Sequence, residues 1–220
     1  FQRMVVVNYF NTGIPATMAD DQNEPAVPDS HWMDRLRKYQ SVKAARTTLE
    51  YFVLEKNARV SRNVAMGESV VALRNNVAGT QDILQEYFLP PEQLSAFLEV
   101  LGSWTQKHDI NLLNASVRWV NEDRDSLLAY APEDRFAVVL FINLHEDSES
   151  DRAMETATRE LIDRVLELGG RYYLPYALYA SKEQLLQAYP QFRELLKLKQ
   201  HYDPKRQLVN RLLNHYFPAN

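Results

Sequence analysis

The 220-residue chain contains no cysteine and only six glycines. The absence of cysteine excludes disulfides, thiolate zinc sites and a cysteine nucleophile. The six scattered glycines form neither GxGxxG nor GxxxxGKS/T, so the chain has no recognisable phosphate-binding loop of its own. No GxSxG is present either, which leaves hydrolase chemistry without a visible nucleophile. A chain without cysteine suits a reducing compartment, and we expect a cytoplasmic protein.

Long apolar runs and an excess of positive charge are also absent. No apolar run is long enough to cross a bilayer, and the opening FQRMVVVNYF lacks the pattern of a signal peptide. The net charge is −4, which does not favour a general nucleic-acid surface. The five histidines form no HxH or HExxH motif. We therefore expect no integral membrane segment, no nucleic-acid partner and no metal site.

Hydrophobic patterning from residue 83 onwards predicts alternating strands and helices. Strands are expected at ILQEYFL, LLNASVRWV, RFAVVLFINL and RYYLPY. A first helix is expected from Pro91, which suits a first helical position. A second is expected from Ser148, with Asp151 completing a capped start, to the stop at Gly169 and Gly170. The order β-α-β-β-α-β predicts an α+β, ferredoxin-like antiparallel sheet with both helices on one face, followed by C-terminal helices.

The first part of the chain is less regular. A strand-like VVVNY is followed by TGIPATMADDQNEPAVPDS, which is rich in Pro and Asp and typical of a loop, and Ser30 could cap a helical segment after it. We therefore divide the chain into an irregular or helical connecting region, residues 1–69, and a C-terminal domain, residues 70–220.

One face of the predicted sheet carries polar side chains. The two-residue period of a strand places Asn114, Ser116 and Arg118 on one face. The alternate positions suit the helices, and they are Leu113, Ala115, Val117 and Trp119. On the first strand, Glu86 faces away from Gln85 and Tyr87.

The last strand adds tyrosines to this pattern. In RYYLPY, the period places Tyr172 and Tyr176 on one face and Tyr173 on the other. A sheet face that offers carboxylate, amide, hydroxyl and guanidinium groups suits a polyhydroxylated substrate. A solvated outer face, which antiparallel sheets commonly have, explains the same pattern without a ligand.

Five segments, taken in order, resemble a known family. They are LQEYFLP, NLLNASVRWV, DSLLAYAPEDRFAVVLFINL, GGRYYLPYALYASKEQLLQAYPQF and LKQHYDPKRQLVNRLLNHYF. Together they resemble the C-terminal part of FAD-linked oxidases of the vanillyl-alcohol oxidase superfamily. Within it they are most similar to the branch of aldonolactone, alditol and decaprenylphosphoryl-ribose oxidases. The match runs over about residues 70–217, and its most specific parts are GGRYYLPY and the YDP…N ending.

This resemblance implies an enzyme with FAD as its cofactor. In the family an N-terminal domain binds FAD, and the C-terminal domain is a substrate-binding cap whose sheet covers the flavin ring. The resemblance therefore implies that this chain is the cap portion, inactive without its own N-terminal FAD domain, which lies outside these residues. The implied substrate is a polyol, sugar or lactone whose alcohol group is oxidised by hydride transfer to the flavin.

The resemblance also implies roles for individual residues. Arg118 matches the family's substrate-site arginine, and Glu86 lies on the strand that places polar side chains near ring and substrate; both are expected to be catalytic. The residues expected to bind substrate are Asn114, Ser116, Tyr176 and Asn210. Ser116 stands where alditol-type members have a glutamate, and Tyr176 where several members have a lysine. An alternative, which needs only the β-α-β-β-α-β pattern, is a non-catalytic ferredoxin-like module that binds a protein or ligand.

Overall fold

The computed structural model describes residues 77–218, together with Gly13 and Asn75. The chain divides into two compact units, Phe1–Ala78 and Gly79–Asn220, and every element below belongs to the second. The strand, loop and helix predicted within residues 1–69 lie outside the described residues, Gly13 apart. The predicted division at residue 70 stays a prediction.

Strands and helices alternate along the second unit in the predicted order. The first four elements are β1 (Thr80–Leu89), α1 (Leu94–Lys107), β2 (Leu112–Val120) and β3 (Arg135–His145). They are followed by α2 (Ser148–Glu167), β4 (Arg171–Tyr172), α3 (Lys182–Ala188), α4 (Phe192–Tyr202) and α5 (Arg211–Tyr216). Pro91 opens a short 3-10 turn, Pro91–Gln93, ahead of α1, so the first helix begins three residues later than predicted.

The four strands form one antiparallel sheet in the order β2-β3-β1-β4. The two longest strands, β1 and β3, occupy its centre. Strand β3 therefore lies between β1 and β2, the two strands that α1 connects. This order is that of a ferredoxin-like sheet. The predicted α+β fold class is confirmed.

Both long helices pack on one face of the sheet. The sheet contributes Tyr87 from β1 and Val138, Leu140 and Ile142 from β3 to the buried core, and α1 and α2 contribute an apolar stripe each. The stripes are Phe97, Leu101 and Trp104 on α1, and Met154, Ala157, Leu161, Ile162 and Val165 on α2. The indole N–H of Trp104 donates to the Ala157 carbonyl at 2.7 Å, so the helices are joined by a hydrogen bond as well as by apolar burial.

The edge strand β2 departs from the prediction in two ways, in the alternation of its side chains at one end and in their burial at the other. The register shifts between Leu112 and Asn114, and Leu112, rather than Leu113, packs against the core. A bulge of this kind changes the phase of the side chains at one end of a strand. At the other end, Trp119 lies opposite Phe136 on the helix side but is 50% exposed, because this position lies at the rim of the sheet.

The start of α2 is capped by a residue other than the one predicted. The carboxylate of Asp147 accepts hydrogen bonds from the backbone N–H groups of Glu149 and Ser150. Its pKa is lowered by the bonds from the Ser150 N–H and the Ser150 hydroxyl, and less by the bond from Glu149. Ser148 is the first residue inside the helix. Aspartate and serine both cap helices well, and here the extended backbone of Asp147 decides which one does.

The end of α2 follows the prediction. Leu168 is the C-cap, and Gly169 has the positive φ of +69° that a left-handed helix stop requires. Gly170 then passes close to β1, because a Cβ atom there would lie 2.9 Å from the Phe88 carbonyl oxygen.

The last strand is shorter than predicted. Pairing with β1 covers Arg171 and Tyr172 only, and one further bond runs from the Tyr173 N–H to the Glu86 carbonyl at 2.9 Å. The chain then turns away at Leu174 and Pro175, because proline has no N–H to donate to a strand partner.

None of the helices in the described part of the chain is both long and apolar enough to span a membrane.

Candidate active site

Glu86 and Arg118 meet on the sheet face opposite to the helices. Nη2 of Arg118 donates to Oε1 of Glu86 at 2.6 Å. The Glu86 side chain is 5% exposed, whereas that of Arg118 is 60% exposed. The pair therefore joins a buried carboxylate to a cation that reaches solvent.

The sheet topology explains how two non-adjacent strands supply this pair. Glu86 lies opposite Val139 on β3, and Arg118 lies opposite Ala137 on the other side of the same strand. Two strand spacings separate β1 from β2, or about 10 Å. The long arginine stem bridges this gap over the central strand, where alanine leaves room for it.

Arg118 keeps hydrogen-bonding capacity for a ligand. A guanidinium group has five N–H donors in a planar fork, and among the described residues Glu86 is the only hydrogen-bond partner of its side chain. The other donors are available to an oxygen atom on the open side of the sheet. Within the same range, Oε2 of Glu86 has no hydrogen-bond partner, so the carboxylate can still accept a proton or a hydrogen bond.

Asn114 and Ser116 extend the polar row along β2. Ser116 lies opposite Val139, in the same cross-strand row as Glu86, and Asn114 lies opposite Phe141. Both side chains are exposed. The structure thus brings Glu86, Ser116 and Arg118 together on one face, with Asn114 one row further.

Aromatic side chains form a wall beside this row. The ring centroids of Tyr173 and Tyr176 lie 5.1 Å apart, and those of Tyr130 and Tyr173 lie 5.7 Å apart. Phe88 stacks on Tyr130 at 4.5 Å and is buried. Burial, followed by the charge of Glu86, raises the pKa of Tyr176, so its hydroxyl stays neutral.

The prediction that Tyr176 lies opposite Tyr173 is wrong. Strand pairing ends at Tyr172, and the turn at Pro175 brings Tyr176 back against Tyr173. In the structure Tyr176 lies near Glu86, whose charge contributes to the raised pKa of the Tyr176 hydroxyl.

Tyr130 is a member of this wall that the hydrophobic pattern does not predict. This residue lies in the irregular segment between β2 and β3, which is held to the sheet by a hydrogen bond from Arg171 to the Ala129 carbonyl. A second bond joins the Asp123 N–H to the Ala131 carbonyl at 2.8 Å. In the sequence, Tyr130 is an aromatic residue within a polar, Pro-containing loop. Hydrophobic periodicity predicts side-chain positions in helices and strands but not in such a loop.

Asn210 has a structural role at the start of the last helix. It is the N-cap of α5, and its side-chain oxygen accepts the Leu213 N–H at 2.8 Å. Within residues 77–218 it makes no hydrogen bond to Glu86 or Arg118. This bond explains why asparagine starts the last helix.

The segment before Asn210 is organised by Asp203. Its carboxylate accepts from Lys199 and from the backbone N–H groups of Gln207 and Leu208. The bond from Lys199, then the two backbone bonds, lower the pKa of Asp203 to about 2. The YDP break is thus a loop built around one carboxylate.

The part of the chain that the structure describes contains no group of three or more His, Asp or Glu side chains that could hold a metal ion.

The chain matches the model of a known protein family. The model of the family described as D-arabinono-1,4-lactone oxidase matches residues 26–216, a range that includes the whole sheet, the Glu86–Arg118 pair and the YDP loop. No curated protein matches the chain significantly.

Proposed function

Since the chain belongs to the D-arabinono-1,4-lactone oxidase family, and with it to the aldonolactone branch of the FAD-linked oxidases, we propose that residues 70–220 form the substrate-binding cap of an FAD-dependent oxidoreductase. Its reaction is the oxidation of an alcohol group in a sugar-like or aldonolactone substrate. The observation that carries this proposal is the buried Glu86 carboxylate, held by an exposed Arg118 on the open, polar face of the sheet.

The described residues suit the substrate side of a flavin rather than its pyrophosphate. The open face offers a carboxylate, a guanidinium group and tyrosine rings, which fit a flat ring and a hydroxylated substrate. The sequence has no glycine-rich phosphate loop. We assign binding of the FAD phosphates to an N-terminal domain of the same protein, and coverage of the substrate to the β1-β3-β2 face. When bound, FAD accepts the hydride removed from the substrate carbon.

Arg118 and Glu86 have different roles at the substrate hydroxyl. The free N–H donors of Arg118 hold the substrate oxygen and stabilise the negative charge that develops on it as its proton leaves. Oε2 of Glu86 accepts that proton, while Oε1 keeps Arg118 in place. The hydroxyl proton thus goes to the carboxylate, the hydride leaves from carbon, and a carbonyl group remains.

The remaining predicted residues orient the substrate. Asn114, Ser116 and Tyr176 surround the pair with neutral donors and acceptors. Asn210 uses its side-chain oxygen for the α5 cap, which leaves its amide nitrogen for a ligand. Substrate binding by these four residues remains a prediction.

The Arg118→Ala variant of the complete flavin-containing protein tests the proposal. We expect turnover of aldonolactones to fall by about 100- to 1000-fold, as for loss of one stabilising donor at a developing oxyanion, while the visible flavin spectrum is unchanged. Arg124→Ala is the matched control, because Arg124 is exposed and paired with nearby Glu122. Near-normal turnover in Arg118→Ala would contradict the role of Arg118. A colourless complete protein would instead favour the non-catalytic binding module.

A further inference from the structure

All four strands contribute to one cross-strand row on the open face of the sheet. Glu86 on β1 lies opposite Val139 on β3, and Val139 lies opposite Ser116 on β2. The fourth member of the row is Tyr173. Pairing between β1 and β4 at the preceding residue sets Tyr173 directly across from Glu86, on the same face of the sheet. Its N–H donates to the Glu86 carbonyl at 2.9 Å, as in a hydrogen-bonded antiparallel pair.

This pairing places Tyr173 on the side of Glu86 that Arg118 does not occupy. Side chains that face each other in an antiparallel pair have Cβ atoms about 5 Å apart. Arg118 reaches the Glu86 carboxylate from the opposite side, over β3. Glu86 and Tyr173 also line the same small opening in the protein surface. A substrate held by Arg118 and Glu86 therefore has Tyr173 as its neighbour.

Tyr173 is the centre of the aromatic wall. Its ring centroid lies 6.1 Å from that of Phe88, 5.7 Å from that of Tyr130 and 5.1 Å from that of Tyr176. These neighbours come from β1, from the loop between β2 and β3, and from the turn after β4, and together they fix the ring. The Tyr173 side chain is only partly buried. A ring that is already held in place and still reaches solvent can pack on a ligand at a small cost in conformational entropy.

The row is aromatic at one end and polar at the other. The β4 end carries the Tyr173 ring, whereas the β2 end carries the exposed side chain of Ser116, with exposed Asn114 one row further. The face of an aromatic ring is electronegative and attracts C–H groups polarised by neighbouring oxygens. A lactone ring presents such C–H groups at fixed positions. An open-chain polyol rotates about every C–C bond and has to lose that freedom before it can present them.

We propose that Tyr173 makes this site selective for a lactone ring over an open-chain polyol, by packing its aromatic ring against the C–H groups of the bound lactone. The inference rests on the function proposed above. It adds the direction of the substrate, whose ring lies towards β4 and whose hydroxyl substituents lie towards Ser116 and Asn114.

The experiment compares a cyclic and an open-chain ligand with the same number of carbon atoms. The ligands are D-arabinono-1,4-lactone and D-arabinitol. Calorimetry uses the complete flavin-containing protein with its flavin kept reduced under nitrogen, so that neither ligand is oxidised during the titration. The quantity compared is the Kd of arabinitol divided by the Kd of the lactone. This ratio should be well above one in the wild type.

Two substitutions at position 173 separate the aromatic ring from its hydroxyl. Tyr173→Leu keeps an apolar side chain but removes the ring. The ratio should therefore fall about 5-fold, within the range for one aromatic contact, through weaker binding of the lactone alone. Tyr173→Phe keeps the ring and should keep the wild-type ratio. Tyr202→Leu is the matched control, because Tyr202 is 79% exposed and lies outside the aromatic wall.

A second measurement covers the case in which Tyr173→Leu does not fold, which thermal unfolding shows. In ultraviolet difference spectra of the wild type, the lactone should perturb tyrosine absorption more than arabinitol does. Tyr173→Phe should lose most of this perturbation while it keeps its affinity for the lactone. A perturbation that persists in Tyr173→Phe overturns the inference.

The outcomes of the calorimetry separate the role of Tyr173 from the reaction. The inference is overturned by an unchanged ratio in Tyr173→Leu, by equal weakening of both ligands, or by an equal fall in Tyr173→Phe or Tyr202→Leu. An altered flavin spectrum in Tyr173→Leu with an unchanged ratio also overturns it, because the ring then packs on the flavin.

Turnover of the wild type distinguishes the two proposals. A wild type that oxidises the lactone but binds both ligands equally overturns the selectivity, while the proposed reaction stands. A wild type whose ratio depends on the Tyr173 ring, but which oxidises neither ligand, contradicts the proposed reaction and leaves the selectivity in place.

Discussion

At the scale of single residues, the Glu86–Arg118 pair is poorly suited to a purely structural role. Burying a carboxylate costs several kcal/mol, and a partner that is itself largely in water returns only part of that cost. With 5% exposure for Glu86 and 60% for Arg118, an apolar residue at position 86 would serve stability equally well. A buried carboxylate beside an exposed cation accords with the ligand-binding role proposed for the pair.

Also at the residue scale, Gly170 has no space for a side chain. A Cβ atom at this position would lie 2.8 Å from Cδ1 of Leu89 and 2.9 Å from the Phe88 carbonyl oxygen, and the backbone oxygen cannot move without disturbing β1. We expect Gly170→Ala to lower the free energy of unfolding by about 3 kcal/mol, the upper end of the range for overpacking. Urea denaturation followed by circular dichroism measures this loss.

The neighbouring glycine provides the control for Gly170. Gly169 needs its positive φ, but the nearest atom to an added Cβ is Cγ of Pro90 at 3.7 Å. Asparagine tolerates this backbone conformation, so Gly169→Asn should cost less than about 1 kcal/mol. Equal losses in both variants would show that Gly170 is not sterically confined.

At the scale of elements, the loop between α4 and α5 depends on the ionised form of one carboxylate. Asp203 accepts from Lys199, Gln207 and Leu208, and its pKa is lowered to about 2 from about 3.9 in an unfolded chain. A group with a lowered folded-state pKa stabilises the fold above its unfolded pKa and loses this contribution as the pH falls through the folded value. The loop should therefore be intact above about pH 4 and loosen towards pH 2.

Hydrogen exchange at low pH checks this prediction. The amide protons of Gln207 and Leu208, which donate to Asp203, should lose protection between about pH 4 and pH 2 once intrinsic exchange rates are corrected for. The Leu161 amide, in the buried stripe of α2, provides an internal reference. In Asp203→Asn the protection should already be low at neutral pH, and unchanged protection there would show that the loop does not depend on this carboxylate.

The elements also show what periodicity can and cannot predict. The two-residue period placed Glu86 and Arg118 on one face, and the structure joins them, because alternation is a property of any extended strand. The same rule failed for Tyr176, since Pro175 breaks the strand that the rule assumes. Trp119 lies on the predicted side of the sheet but is not buried. The two-residue period gives the direction of a side chain and not its distance from the rim of the sheet.

Other features depend on contacts that have no local pattern. Tyr130 reaches the aromatic wall through a loop held by Arg171. This relation does not involve neighbours in the sequence, so a single sequence does not reveal it. The cap at Asp147 was missed for a smaller reason, since an adjacent serine has a similar preference for that position.

At the scale of the whole molecule, the second unit contains its own core. The buried cluster and the apolar side chains packed against it lie between Ile83 and Phe217. We expect residues 79–220 expressed alone to unfold in one cooperative transition, followed by circular dichroism in urea, because burial of this cluster is the main driving force. Loss of the near-ultraviolet signal with strong binding of a hydrophobic dye would show instead that the core needs the first 78 residues.

The strand order has a consequence for the time course of folding. Glu86 and Arg118 are 32 positions apart in the chain, yet they belong to strands that touch only through β3, which is synthesised after both. Their contact cannot form when β1 and β2 first leave the ribosome, and it must wait until the later strand has inserted between them. Pairings between distant segments are slow steps in folding. Formation of the pair therefore marks the final stage of folding. A nascent or partly folded chain contains both side chains but not the site.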